Sequence, residues 1–145
     1  MDKDVEYRLV RHLSYQESEM QDYGLFAPLS WVEYSGDRSK RRNVERWVEG
    51  IVNSSVDIAK IILVSRGMTV PGTYREIVEA LAAVPGFPSE ALHDVGRWVR
   101  LRNVISHEYL DIKWNSIRQF IDESQPNYKR FLTAVKALLA AQKQD

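Results

Sequence analysis

The chain of 145 residues contains no cysteine. That excludes a disulfide scaffold, thiolate metal ligation and a cysteine nucleophile. An excess of one charge is also missing, because Lys+Arg and Asp+Glu both number 20. Coating nucleic acid through bulk positive charge is therefore disfavoured, while local basic patches stay open. Long apolar runs are lacking too: the longest, near Ile58, is interrupted by Lys60 and Arg66, far short of a membrane span. The start Met1-Asp2-Lys3-Asp4 has no basic region leading into an apolar stretch, so it does not read as a secretory signal. The expectation is a cytoplasmic protein without membrane association. At 44% hydrophobic and 28% charged residues, the composition is that of a folded globular chain, and its length suits one domain over residues 1–145.

Periodicity predicts an all-α protein, a helical bundle of about five helices. The first runs from about Lys3 to Tyr23, with Val5, Leu9, Leu13 and Met20 at helical spacing. An apolar connector, Leu25-Phe26-Ala27-Pro28-Leu29-Ser30-Trp31, is broken by Gly24 and Pro28. Its aromatics, with Tyr34, fit core or interface packing better than base stacking. Gly36-Asp37 opens a second helix of about Arg38 to Arg66, with Gly67 as its stop. Thr73-Tyr74-Arg75-Glu76 has capping-box spacing and starts a short third helix reaching about Val84. Ser89 is the expected cap of a fourth helix to His107, and Asp111 of a fifth to Ala141, kinked or divided at Pro126. There is no internal repeat or low-complexity tract.

The fourth helix carries an anomaly. On a helical wheel Leu92, Val99, Val95 and Trp98 follow one another around a single apolar stripe, and Arg102 falls inside it, between Val95 and Trp98. A guanidinium there needs an acidic partner, a polar cleft or an anionic ligand. Alternatively its stem packs and its head escapes to water. His107 follows five residues later, about 140° around an ideal helix. Only a helix end near Ser106, or a cleft shared with a second subunit, would bring the two to one group. Asn103 and Tyr109 flank them. Read alone, His107 could equally be a cap or surface group, and Tyr109 a packing anchor. Asp57 is placed as an internal partner for Arg102 or Arg46.

The run Arg102-Asn103-Val104-Ile105-Ser106-His107-Glu108-Tyr109 resembles the Arg-Asn-x-x-x-His-x-Tyr signature of the HEPN superfamily. More closely, it is similar to the HepT-like ribonuclease toxins that pair with a minimal nucleotidyltransferase antitoxin. Glu45-Arg46, Val56-Asp57-Ile58, the Thr73 block and the proline-containing last helix keep the same order, so the resemblance covers about residues 5–140. It implies a HEPN-like bundle, a homodimer, and an endoribonuclease that uses neither metal nor cofactor. Arg102 and His107 would be the catalytic pair, with Asn103 in support and RNA, transfer RNA in studied relatives, as substrate. Tyr109 would receive AMP from the partner nucleotidyltransferase, which adds bulk and negative charge beside the cleft. A non-catalytic module presenting nucleotide or RNA to that partner is the alternative.

The chemistry suits these side chains. RNA carries its own nucleophile, the 2′-OH, next to the scissile phosphate. An imidazole can take that proton or protonate the leaving oxygen, and a guanidinium can hold the phosphate. One motif supplies one histidine, and a two-fold dimer would supply the second; His12 and His93 are the other histidines available. For RNA contact beyond the site, the basic run Arg38, Lys40, Arg41, Arg42 and Arg46 is the first candidate, with Arg97 and Arg100 extending positive potential toward the cleft. A merely solvated helix start is the competing reading of that run.

Overall fold

The computed structural model describes residues 1–106 and 109–143. Its described residues form nine α-helical segments. The first, α1 (Lys3–Met20), is N-capped by Asp2, whose carboxylate accepts from the Val5 N–H at 2.8 Å. Then come α2 (Tyr23–Phe26), α3 (Trp31–Gly36) and the long α4 (Arg38–Ser65). After them lie α5 (Tyr74–Glu79), a 3-10 turn (Ala80–Ala83), α6 (Ser89–Val99) and α7 (Leu101–Ile105). The chain closes with α8 (Leu110–Glu123) and α9 (Gln125–Lys143). No described helix is long and apolar enough to cross a membrane.

Five of the sequence expectations change in detail. The first helix stops at Met20, and the apolar connector is not plain loop: it folds into α2 and α3. A Ser30–Glu33 capping box starts α3, Ser30 Oγ accepting from the Glu33 N–H while the Glu33 carboxylate accepts from the Ser30 N–H. Ser89 is the first helical residue of α6 rather than its cap, which is Pro88. Asp111 sits inside the first turn of α8, where its charge suits the positive end of the helix dipole, and Tyr109 is the N-cap. The fourth helix breaks at Arg100, where the backbone keeps right-handed helical dihedrals (φ −60°, ψ −21°). Neither glycine nor proline marks that break, so no sequence signal announced it.

Other signals hold. Gly67 takes φ +68° and closes α4, with Gly67 N–H donating to Val64 O and Met68 N–H to Leu63 O, both at 3.0 Å. This double bond pattern satisfies the last carbonyls of the helix, and only glycine adopts that backbone without strain. Pro126 falls in the first turn of α9, just after the break at Ser124, where its missing N–H costs nothing.

The core wraps around α4, whose Val44, Val48, Ile51, Val52, Ile58, Ala59, Ile62 and Leu63 are fully buried. Helix α1 packs antiparallel to α4 and is tied to it by polar groups. Gln16 Nε2 donates to Ile51 O (2.9 Å), Trp47 Nε1 to Glu19 O (2.7 Å) and Ser54 Oγ to His12 O (3.4 Å). These bonds give partners to the Gln16, Trp47 and Ser54 donors, while Gln16 Oε1 has none. On the opposite side α5, α6, α7 and α8 cover α4, and the Lys113–Glu45 ion pair (3.2 Å, both largely buried) fixes α8 against it.

Candidate functional site

Short helix α7 positions the first half of the motif. Leu101 and Ile105, four residues apart, are both buried and set its inward face against α4 and α8. Arg102 lies at the margin of that face, half-buried, rather than inside the apolar stripe. Its guanidinium carbon stands 4.2 Å from the centroid of the Tyr74 ring. The face of an aromatic ring is negative, so this is an attractive cation–π contact, worth about 0.5–1 kcal/mol where water still reaches it. Thr73 fixes the ring's helix: its hydroxyl accepts from the Glu76 N–H at 3.3 Å, which makes Tyr74 the first helical residue of α5.

A second cation converges on the same ring. Lys60, on the outer side of α4, places Nζ 5.4 Å from the Tyr74 centroid. Neither Arg102 nor Lys60 forms an ion pair with any described residue, whereas Lys40, Arg75, Arg97, Lys113, Arg118 and Arg130 each face a carboxylate. Two uncompensated positive charges around one aromatic ring make a local anion-attracting spot in a chain of zero net charge.

The other members of the motif are placed as follows. Asn103 is exposed, and its carbonyl accepts from Ser106 Oγ at 2.7 Å. His107 lies outside the described residues. Tyr109 is 67% exposed; its carbonyl accepts from the Lys113 N–H at 3.3 Å, but its hydroxyl makes no hydrogen bond to a described residue, so the side chain does not act as a buried anchor. Arg102 meets the ring that Lys60 of α4 also meets, whereas Lys113 pairs with Glu45 nearer the start of α4.

Asp57 does not take the place expected of it. It is exposed and makes no ion pair with Arg102, Arg46 or any other described residue; it faces Arg8 and His12 across a groove instead. The basic run at the start of α4 divides. Lys40 pairs with Glu33 at 2.5 Å, which holds that carboxyl below its usual range, and Arg41 donates to the carbonyls of Tyr34 and Ser35 (3.0 and 3.2 Å). Arg38 and Arg42 are exposed. Arg42 and Lys60 are 18 residues apart on one helix, about 27 Å, so the run and the Tyr74 cluster are separate surfaces. Arg97 reaches Asp94 at 3.5 Å, while Arg100 is exposed at the junction of α6 and α7.

His93 is exposed, 3.7 Å from the Glu79 carboxylate. His12 is half-buried on α1. Of the connector aromatics, Phe26 and Tyr34 are buried, and Trp31 packs beside Tyr34 and Trp114, which is the packing role.

Lys60 and Tyr74 join the site although in the sequence Lys60 reads as a break in an apolar run and Tyr74 as part of a cap. An aromatic side chain exposed at the first turn of a short helix was the available signal.

The all-helical chain, with its arginine-led motif at a helix break, is consistent with the HEPN class of fold, and comparison with known families gives the same assignment. The model of the family described as Ribonuclease HepT-like matches residues 17–135. The chain belongs to this HepT-like ribonuclease family of the HEPN superfamily. No curated protein matches it.

Proposed function

We propose that the protein is an endoribonuclease toxin whose active site is built on Arg102 and His107, with Asn103 in support. The observation that carries this reading is the position of Arg102. In a member of a ribonuclease family it stands half-exposed beside Lys60 with no carboxylate among the described residues. A structural arginine at a helix junction would more economically pair with an acid, as Arg118 does with Asp122 at 2.6 Å.

In this reaction the substrate's 2′-oxygen attacks the adjacent phosphorus. The 2′-OH proton passes to a neutral imidazole, the P–O5′ bond breaks, and the departing oxygen takes a proton from a second, protonated imidazole. Arg102 holds the non-bridging oxygens as charge builds on them. The products are a 2′,3′-cyclic phosphate and a 5′-hydroxyl, and DNA, lacking the nucleophile, is inert. A homodimer supplies His107 from both protomers to one cleft. His12 lines the α1–α4 groove instead, and His93 lies 3.7 Å from the Glu79 carboxylate.

Transfer RNA is the proposed substrate, and a minimal nucleotidyltransferase the proposed antitoxin, acting in the cytoplasm by transferring AMP to Tyr109. The exposure of that side chain, at 67%, supports such access. Within the basic run, Arg38 and Arg42 are the members free to touch the RNA backbone, since Lys40 and Arg41 hold α3; Arg97 and Arg100 contribute potential from α6 and its junction with α7. Cleavage of RNA in EDTA, with a cyclic phosphate at the product end, tests the assignment. A folded His107→Ala variant that cleaves at the parental rate overturns it. Expression without toxicity and RNA binding without cleavage would favour the module that only presents RNA to its partner.

A further inference from the structure

A groove edged by charged and polar side chains runs along the seam of α1 and α4 and passes Lys60. Its larger part, of about 480 Å³, lies between Arg8, Arg11, His12 and Tyr15 of α1 and Asn53 and Asp57 of α4. An adjoining part of about 380 Å³ shares Arg8, His12 and Asp57 and passes Lys60 toward Val64 and Ser65. Both are of a size that takes small ligands. The α1 side chains stand at positions i, i+3, i+4 and i+7, so they form one helix face. Gly50 forms part of the floor: a Cβ there would come within 2.2 Å of the Tyr15 hydroxyl, so the absence of a side chain lets Tyr15 lie across α4.

The chemistry of the lining is specific in kind. Arg8 and Arg11 are exposed and have no carboxylate partner among the described residues. The Asn53 Oδ1 atom is buried with no hydrogen-bond partner, which costs about 1–3 kcal/mol unless a ligand or water supplies a donor. Asp57 offers two further acceptor oxygens that no described cation occupies. Paired cations, an orphan amide oxygen and an open carboxylate are what a chain alternating phosphates with hydroxyl-bearing sugars requires. From Gly50 to Lys60 the groove extends about 15 Å, the length of about four stacked nucleotides at ~3.4 Å each. On its rim Lys60 shares the Tyr74 ring with Arg102, so the candidate catalytic arginine lies one aromatic ring away from the groove.

We propose that the α1–α4 groove is the track along which a single RNA strand reaches Arg102. Arg8, Arg11 and Lys60 contact phosphates, and Asn53 and Asp57 accept from ribose hydroxyls. This rests on the nuclease reading for its endpoint, but its binding residues lie outside the motif and can be tested apart from it.

The probe is a fluorescently labelled single-stranded oligoribonucleotide, followed by anisotropy in the His107→Ala background across a salt series. Arg8→Ala with Arg11→Ala is expected to weaken binding about 10-fold or more and to lower the salt slope by about 1.4, two single-strand phosphate contacts. Lys129→Ala, on α9, is expected to leave both unchanged. Asn53→Ala is expected to reduce the preference for the ribo- over the deoxyribo-oligomer by about 2- to 10-fold, one hydrogen bond's worth. In the active chain the double arginine variant raises KM with kcat retained. Parental affinity and slope in that variant overturn the track even if the wild type cleaves RNA, and the nuclease reading then survives alone. Groove-dependent binding by a chain that cleaves nothing upholds the track and removes the nuclease.

Discussion

The aromatic end of the bundle and the Tyr74–Arg102 surface use the same side-chain types to opposite ends. At the first, Tyr23, Phe26, Trp47, Trp98 and Phe120 interlock, with ring centroids 4.7–6.2 Å apart in mostly tilted or edge-on pairs. Their polar tips are turned inward and answered: Trp47 Nε1 by Glu19 O, Trp98 Nε1 by Asn127 Oδ1 and Tyr23 Oη by Ser124 Oγ, each at 2.7 Å. At the second, Tyr74 is 39% exposed and its ring is met by cations whose charge nothing described neutralises. Buried polar atoms must be paired or the fold loses free energy. A solvated cation has no such requirement, so the fold leaves the charge of this cluster free for other use.

The largest expected effects fall on opposite measurements. Arg102→Ala and His107→Ala are each expected to lower RNA cleavage by about 10²–10⁴-fold, while the thermal midpoint of Arg102→Ala stays within a few degrees of the parent. Arg102→Lys restores little of the activity, because a point charge cannot grip two phosphate oxygens as the planar fork does. Phe120→Ala reverses the pattern. It removes a ring that is fully buried against four other aromatics and is expected to cost about 3–5 kcal/mol in denaturant unfolding, with cleavage per folded molecule retained. Loss of activity in folded Phe120→Ala, or collapse of the fold in Arg102→Ala, would dissolve the contrast.

Alkaline unfolding sharpens it from another side. Burial pushes the phenols of Tyr23, Tyr34 and Tyr128 well above the usual tyrosine range. In the unfolded chain these groups ionise near pH 10, so above that pH the folded state holds more protons than the unfolded one. Stability is then full below pH 10 and falls as pH rises beyond it. The effect is expected to be smaller in Tyr128→Phe, read from urea midpoints at pH 9 and pH 11.

How far the sequence disclosed this arrangement depends on the signal. The 3.6-residue period in α4 and the Gly67 stop match the structure because burial and a left-handed backbone leave local marks in the sequence. The α3 capping box was equally local, but it stood inside a stretch whose Gly24 and Pro28 drew the reading toward loop. The break at Arg100 left no mark, since its dihedrals remain helical, and this shifts Arg102 from the stripe to its edge. At the candidate site, the motif Arg102-Asn103 was visible as a pattern. Lys60 and Tyr74 were not, because they join Arg102 only through the packing of α5 and α7 against α4, a tertiary event with no sequence spacing to betray it. The same holds for Asp57, which lies on the outer face of α4 rather than beneath Arg102.

The smallest effect separates the ring of Tyr74 from its hydroxyl. The contact with Arg102 is made by the π face at 4.2 Å, and no hydrogen bond of the hydroxyl to a described residue accompanies it. Tyr74→Phe is therefore expected to leave both stability and cleavage within about 2-fold of the parent, since the ring quadrupole is retained. Tyr74→Ala frees the guanidinium to sample other rotamers. It is expected to cost no more than about 1 kcal/mol of stability but to lower kcat about 10-fold with KM less affected, because a misplaced charge stabilises the transition state less than the bound substrate. If Phe fails to rescue what Ala removes, the hydroxyl rather than the face is the working part of Tyr74, and the cation–π account of how Arg102 is held must be abandoned.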